Sequence, residues 1–146
     1  MHGARLTLIA WATDMPHRCA NPDDIAMKTS ALSVACLQAY VDKARDVAEA
    51  LIAEDFSFSS PLDNAIDRST YFERCWPNSE HMTHVRFVEA VDDGDRAFVI
   101  YEADMGEKRF RNCEMHTARG GQLVAVEVYF GWELPHPAPG GGFVAS

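Results

Sequence analysis

Positive charge is scarce in this chain of 146 residues. Only 13 Lys and Arg stand against 22 Asp and Glu, a formal net charge of −9. Nucleic acid and anionic membrane surfaces both select a basic footprint, so neither is expected as a partner. The one basic cluster, Lys108, Arg109 and Arg111, adjoins a predicted turn and reads as a solvated rim. No apolar run is long enough to span a membrane. GxSxG, the Walker loop, GxGxxG and HExxH are all missing, so their chemistries lack their usual signatures and no cofactor is expected. Cys19, Cys36, Cys75 and Cys113 are widely spaced and form no CxxC, which predicts reduced thiols in a cytoplasmic protein. No internal repeat occurs.

What is present is one domain's worth of apolar sequence. Hydrophobic residues make up 47%, enough for a globular core. Arg5 followed by the apolar run 6–12 faintly resembles a secretion signal, but no periodic element continues it. Residues 1–26 therefore read as a poorly ordered extension, 27–134 as the domain and 135–146 as a flexible Pro/Gly tail. Ser30 is a candidate N-cap, and Leu37, Val41, Ala44, Val47 or Ala48, and Leu51 recur at helical spacing. Asp46 and Glu49 suggest a capping box, so helices are predicted over 30–45 and 47–53. Residues 56–60 alternate as a short strand ending at Pro61, and 62–66 read as loop. Asp67 can cap a third helix over 68–76, stopped by Pro77, with Phe72 and Trp76 on its buried face. Four strands follow, over 85–91, 97–103, 109–117 and 123–132, joined by three hairpin turns.

The last hairpin carries the functional information. A three-residue loop at Gly120-Gly121 would pair Ala118 with Gln122, so that partners sum to an even number. His116 then faces Val124, Glu114 faces Val126 and Asn112 faces Val128. One sheet face thus carries Asn112, Glu114 and His116 among Val124, Val126, Val128 and Phe130. Buried polar groups cost free energy unless partnered, and an apolar cavity with a few convergent polar groups is how small-molecule sites are built. Glu114 and His116, about 6.6–6.8 Å apart along the strand, are candidates for an acid/base pair or for a self-satisfied polar pair. The opposite face, with Cys113, Met115, Thr117, Leu123, Ala125, Glu127 and Tyr129, is also partly apolar and predicts a homodimer through the sheet. His81-x-x-His84, near Cys75 and Glu80, has a spacing that metals use, but with no third ligand fixed it reads as a solvated loop. Asp92, Asp93 and Asp95 are explained by a hairpin turn. No metal site is expected.

Several segments carry a resemblance: Tyr40-Val41 on the first helix, Ala53-Glu54-Asp55-Phe56, Ser60-Pro61, 67–72, Phe110-Arg111-Asn112 and 128–132. Together they resemble the nuclear transport factor 2-like (NTF2-like) superfamily, in its SnoaL-like and ketosteroid-isomerase-like branch, over about 27–133. The resemblance implies an α+β fold, a cystatin-like or NTF2-like cone of three N-terminal helices packed on a curved antiparallel sheet. It implies a pocket between long helix and sheet, and often dimers. In ketosteroid isomerases an Asp before a Pro is the general base, and that position is Ser60 here. A first-helix tyrosine and a protonated Asp form the oxyanion hole; these positions match Tyr40 and Glu114. A serine is no base near neutral pH, so steroid isomerisation by that route is not expected.

The expectation is a pocket for a small apolar ring compound, with Glu114 and His116 as acid/base candidates. Tyr40, Ser60, Phe72, Trp76, Asn112, Val126, Val128 and Phe130 are the expected walls. The reaction class implied is isomerase, cyclase, dehydratase or hydrolase. The alternatives are a non-catalytic binder of a small apolar ligand and a dimerisation module with a filled cavity.

Overall fold

In a computed structural model of the chain, residues 27–141 are described. The expected extension over 1–26, with Cys19, and the end of the tail lie outside them. Helix α1 (Thr29–Asp42) is followed by α2 (Arg45–Leu51), strands β1 (Ile52–Ser60) and β2 (Asp63–Asp67), and α3 (Arg68–Arg74). A 3-10 turn over Trp76–His81 then leads into β3 (Met82–Asp93), β4 (Arg96–Met105), β5 (Lys108–Arg119) and β6 (Gln122–Leu134). The six strands form one sheet in the order β2-β1-β6-β5-β4-β3. It is α+β as expected but mixed, because β1 runs parallel to β6. Among the described residues no helix is long and apolar enough to cross a membrane.

Helix α1 begins one residue earlier than predicted, and Ser30 does not cap it. Lys28 holds the N-cap position. Ser30 instead donates its N–H and its hydroxyl to the Asp92 carboxylate at the end of β3, at 2.8 and 2.6 Å. A distant carboxylate thus does the capping, and it also suits the positive end of the helix dipole. Between α1 and α2 the chain turns at Lys43 (φ 59°), and the Ala44 N–H reaches back to the Ala39 carbonyl. The predicted Asp46 capping box does not form, since α2 starts at Arg45 with no side-chain cap. Asp67 does cap α3, accepting from the Thr70 N–H at 2.8 Å. That helix stops at Arg74 rather than Trp76.

Two differences concern strands. Ile52, expected at a helix end, opens β1 and pairs with Leu123, and both are buried. Residues 63–67, expected as loop, form the edge strand β2. Its sequence, Asp-Asn-Ala-Ile-Asp, lies at the margin of the sheet, so it shows no apolar alternation.

Bulges interrupt β3–β4, both ends of β5–β6 and both pairings of β1. Bulges bend strands and sharpen twist, so the sheet curls round α1. One core cluster packs Leu32, Cys36 and Ala39 of α1 against Ile52, Phe56, Leu123 and the aromatics of α3. Another packs Val41 against Met82, Val99, Tyr101 and Ala103. Helix α1 contributes to both, which explains why its buried residues run round the helix rather than along one stripe.

Candidate functional site

The β5–β6 hairpin differs from its expected register in an informative way. Gly120 and Gly121 both have positive φ, 59° and 79°, which only a two-residue turn of the I′ kind requires of both. Arg119 therefore pairs with Gln122, and Ala118 with Leu123. A bulge then makes Val124 the extra residue, and Thr117 pairs with Ala125. The even sum is restored, two residues along from the prediction. His116 faces Val126, Glu114 faces Val128 and Asn112 faces Phe130. The bulge also sends Leu123 into the core and takes Val124 off the inner face, a correction to both assignments. The polar trio itself keeps its face, and all three residues are buried.

Between α1 and this face lies an open cavity of about 430 Å³. It is large enough for a small organic ligand, which removes the filled-cavity expectation. Tyr40, Ser60, Asn112, Glu114, His116, Val126, Val128 and Phe130 line it. Phe72 and Trp76 do not. Their rings lie 5.7 Å apart and belong to the core cluster, with the Trp76 ring edge-on to Tyr40 at 5.4 Å. Phe72 on the short α3 and Trp76 on the 3-10 turn after it both face the core.

The cavity has further lining residues, and two of them, Tyr101 and Asp63, bring polar groups to it. Tyr101 on β4 pairs with Asn112 and donates its hydroxyl to Glu114 Oε1 at 2.7 Å. The signal was the alternation Ala97, Val99, Tyr101, Ala103, one buried row whose only hydroxyl needs a partner. Asp63 on β2 also reaches the cavity, and it was hidden because β2 was read as loop.

The polar residues form a chain. Tyr101 donates to Glu114 Oε1, while Glu114 Oε2 and His116 Nε2 stand 2.7 Å apart. With the proton on Nε2 the imidazole donates; with the proton on the carboxyl group it accepts. The two forms differ by one proton across one contact. His116 Nδ1 is buried with no protein partner among the described residues. Asn112 Oδ1 accepts from the Gly131 N–H at 3.2 Å, which fixes its amide toward Tyr101, and its Nδ2 lies 3.5 Å from the Tyr101 hydroxyl. Burial foremost, then the charge of Glu114, lifts Tyr101 well above the ordinary phenol value, so it stays protonated and donates. Tyr40 is also raised by burial, and its hydroxyl donates to the Cys75 carbonyl at 2.9 Å rather than into the cavity.

The other polar features have structural explanations. Burial pushes the Cys36 thiol up to about 12 and Cys75 up to about 11, so neither cavity thiol supplies a thiolate near neutral pH. Lys108 pairs with Glu133, Arg109 with Asp104 and Arg111 with Glu102. His81 and His84 are exposed.

Curled sheet, embedded helix and the cavity between them together define the NTF2-like fold. A putative ketosteroid isomerase from Kribbella flavida DSM 17836 superposes with a TM-score of 0.62 at 20% identity, covering 81% of this chain and 90% of that one. An NTF-2 like protein of unknown function from Burkholderia xenovorans LB400 gives 0.60 at 18% identity, covering 75% and 85%. An LEH-like epoxide hydrolase from M. tuberculosis gives 0.57 at 16% identity, covering 68% and 80%. No protein-family model and no curated protein matches the chain. At these identities the likeness establishes the fold, not the activity.

Proposed function

We propose that this protein is a small cofactor-free enzyme that binds an apolar ring compound and moves a proton on it, with Glu114 and His116 as the acid/base pair. The observation that carries this reading is the Tyr101–Glu114–His116 chain, buried in the wall of an otherwise apolar cavity. Each carboxylate oxygen has one protein partner and keeps a second lone-pair position for a substrate proton. Tyr101 and His116 hold the carboxyl group in place, and His116 stands where it can exchange a proton with it. Proton removal beside a ring carbonyl, and activation of water toward an epoxide, both fit this arrangement. The structural neighbours, a putative ketosteroid isomerase and an epoxide hydrolase, bracket the same two substrate classes.

A second reading is a non-catalytic binder of a small apolar molecule. It is favoured by one fact: each oxygen of Glu114 already has a partner within the protein. Under either reading we place the protein in the cytoplasm, on its free Cys36, Cys75 and Cys113, and expect a homodimer through the outer sheet face.

The test is a panel of ring ketones, lactones and epoxides offered to the wild type and to Glu114→Gln. The enzyme reading expects turnover by the wild type and its loss in the variant, with affinity kept within about tenfold. Turnover that survives the substitution removes Glu114 from the chemistry. A raised melting temperature without any turnover favours the binder.

A further inference from the structure

Besides Glu133, which pairs with Lys108 at the rim, the cavity holds a carboxylate that the acid/base pair leaves unused. Asp63 lines it, and its side chain is only 11% exposed. The sheet register fixes where it stands. Ser60 pairs with Asp63 across the antiparallel β1–β2 contact, and directly opposed residues share a face. Ser59 pairs with Glu127 in the parallel β1–β6 contact, so Ser60 stands next to Val128, and Val128 pairs with Glu114. Asp63, Ser60, Val128 and Glu114 therefore form one row across four strands, all lining the cavity. With neighbouring strands about 4.8 Å apart, the two acidic residues are separated by about 14 Å along the sheet. Bulges curl the sheet across this row, and both side chains face the same cavity.

Asp63 retains acceptor capacity. Its Oδ2 is approached by the Ser60 hydroxyl at 3.2 Å and the Cys75 thiol at 4.0 Å. Its Oδ1 lies 3.3 Å from Arg74 Nη2. Three long contacts leave room on a carboxylate that can accept about four hydrogen bonds. Arg74 already supplies the countercharge, so a neutral donor suffices and a cationic ligand is not required.

We propose that Asp63 is a second ligand anchor, accepting a hydrogen bond from a hydroxyl group at the end of the ring compound remote from Glu114. This rests on the reading of the cavity as a small-molecule site. It narrows the ligand class to hydroxylated ring compounds with an acceptor such as a carbonyl at the opposite end. The ligand then lies across β1 and β6, with its hydroxyl toward Asp63 and the hydrogens beside its carbonyl toward Glu114.

The experiment is calorimetric titration of the full chain with three probes: 1-tetralone, 6-hydroxy-1-tetralone and 6-methoxy-1-tetralone. A hydrogen bond to a charged acceptor should make the wild type bind the hydroxy probe about tenfold more tightly than the methoxy probe. Asp63→Ala should bind the two within about twofold of each other, and its folding is checked by its retained affinity for 1-tetralone. Equal wild-type affinity for the hydroxy and methoxy probes overturns the inference without recourse to any variant, and so does a preference that persists in Asp63→Ala. If 1-tetralone binds and the hydroxyl adds nothing, only the role of Asp63 falls. If none of the three binds, the small-molecule reading of the cavity falls with it.

Discussion

Tyr101 and Glu114 meet diagonally across two strands. Tyr101 is paired with Asn112 and Glu114 with Val99, yet the phenol oxygen and the carboxylate oxygen are 2.7 Å apart. A long aromatic side chain can reach the diagonal neighbour where a short one cannot. The contact joins the row facing α1 from β4 to the polar row of β5, and so ties the cavity floor to the core cluster of Val41, Met82 and Val99.

Tyr101→Phe keeps the ring and removes the donor. Glu114 Oε1 is then buried without its partner, which costs about 1–3 kcal/mol. Thermal unfolding should show the melting temperature lowered by several degrees. An unchanged melting temperature would mean that the bond contributes nothing to the fold.

Gly131→Ala tests the bulge that aims Asn112 and Phe130. A Cβ on Gly131 would overlap the Arg111 carbonyl oxygen, which is backbone and cannot swing aside. The backbone must shift, and overpacking of this kind costs about 1–3 kcal/mol. Denaturant melts should move to lower midpoints, and ligand affinity should fall because Asn112 loses the Gly131 N–H. A variant as stable as the wild type would show that the strand edge yields freely.

Asp92 caps α1 from β3, and the Ser30 hydrogen bonds hold its carboxyl below the ordinary value of 3.8. A depressed folded value means that this contribution is complete above the unfolded value and is lost as pH falls through the lower, folded one. Asp92→Ala should cost about 1 kcal/mol at pH 7, a typical cap deletion. The gap between variant and wild type should narrow as pH drops below 3.8. A gap that stays constant across the acid range would contradict the capping role.

The outer sheet face carries Val91, Phe98 and Tyr129, 49%, 39% and 56% exposed, around half-buried Met115 and Cys113. A band of that kind on one face predicts a homodimer. Sedimentation at about tens of micromolar should report two chains per particle. Phe98→Glu should return it to one. A wild-type monomer at that concentration would reject the outer-face interface.

The strand order of β3 to β6 was legible because alternation and glycine turns are local signals. The polar face of β5 was legible too, and it survived an error in the turn. The loop was read as three residues, but the bulge at Val124 restored the parity of the pairing, so Asn112, Glu114 and His116 stayed together. What was not legible depended on contacts distant in sequence. The Ser30–Asp92 cap spans 62 residues. Strand β2 has no apolar pattern because it is an edge, and with it Asp63 was hidden. Phe72 and Trp76 were correctly read as buried, but which side of the core they fill depends on the packing of α3 against β1. Tyr101 depends on the β4–β5 register across the Gly106 turn, which pairs it with Asn112.

Proton transfer at Glu114 is tested most directly by hydrogen–deuterium exchange, which needs no knowledge of the natural substrate. In D₂O, proton NMR follows loss of the hydrogens beside the carbonyl of 1-tetralone. The wild type should accelerate this exchange over buffer, and Glu114→Gln should lower the acceleration by about 10²-fold or more, the usual contribution of a general base, while the affinity for 1-tetralone stays within about tenfold. Exchange no faster than in buffer, or equally fast in the variant, would contradict it.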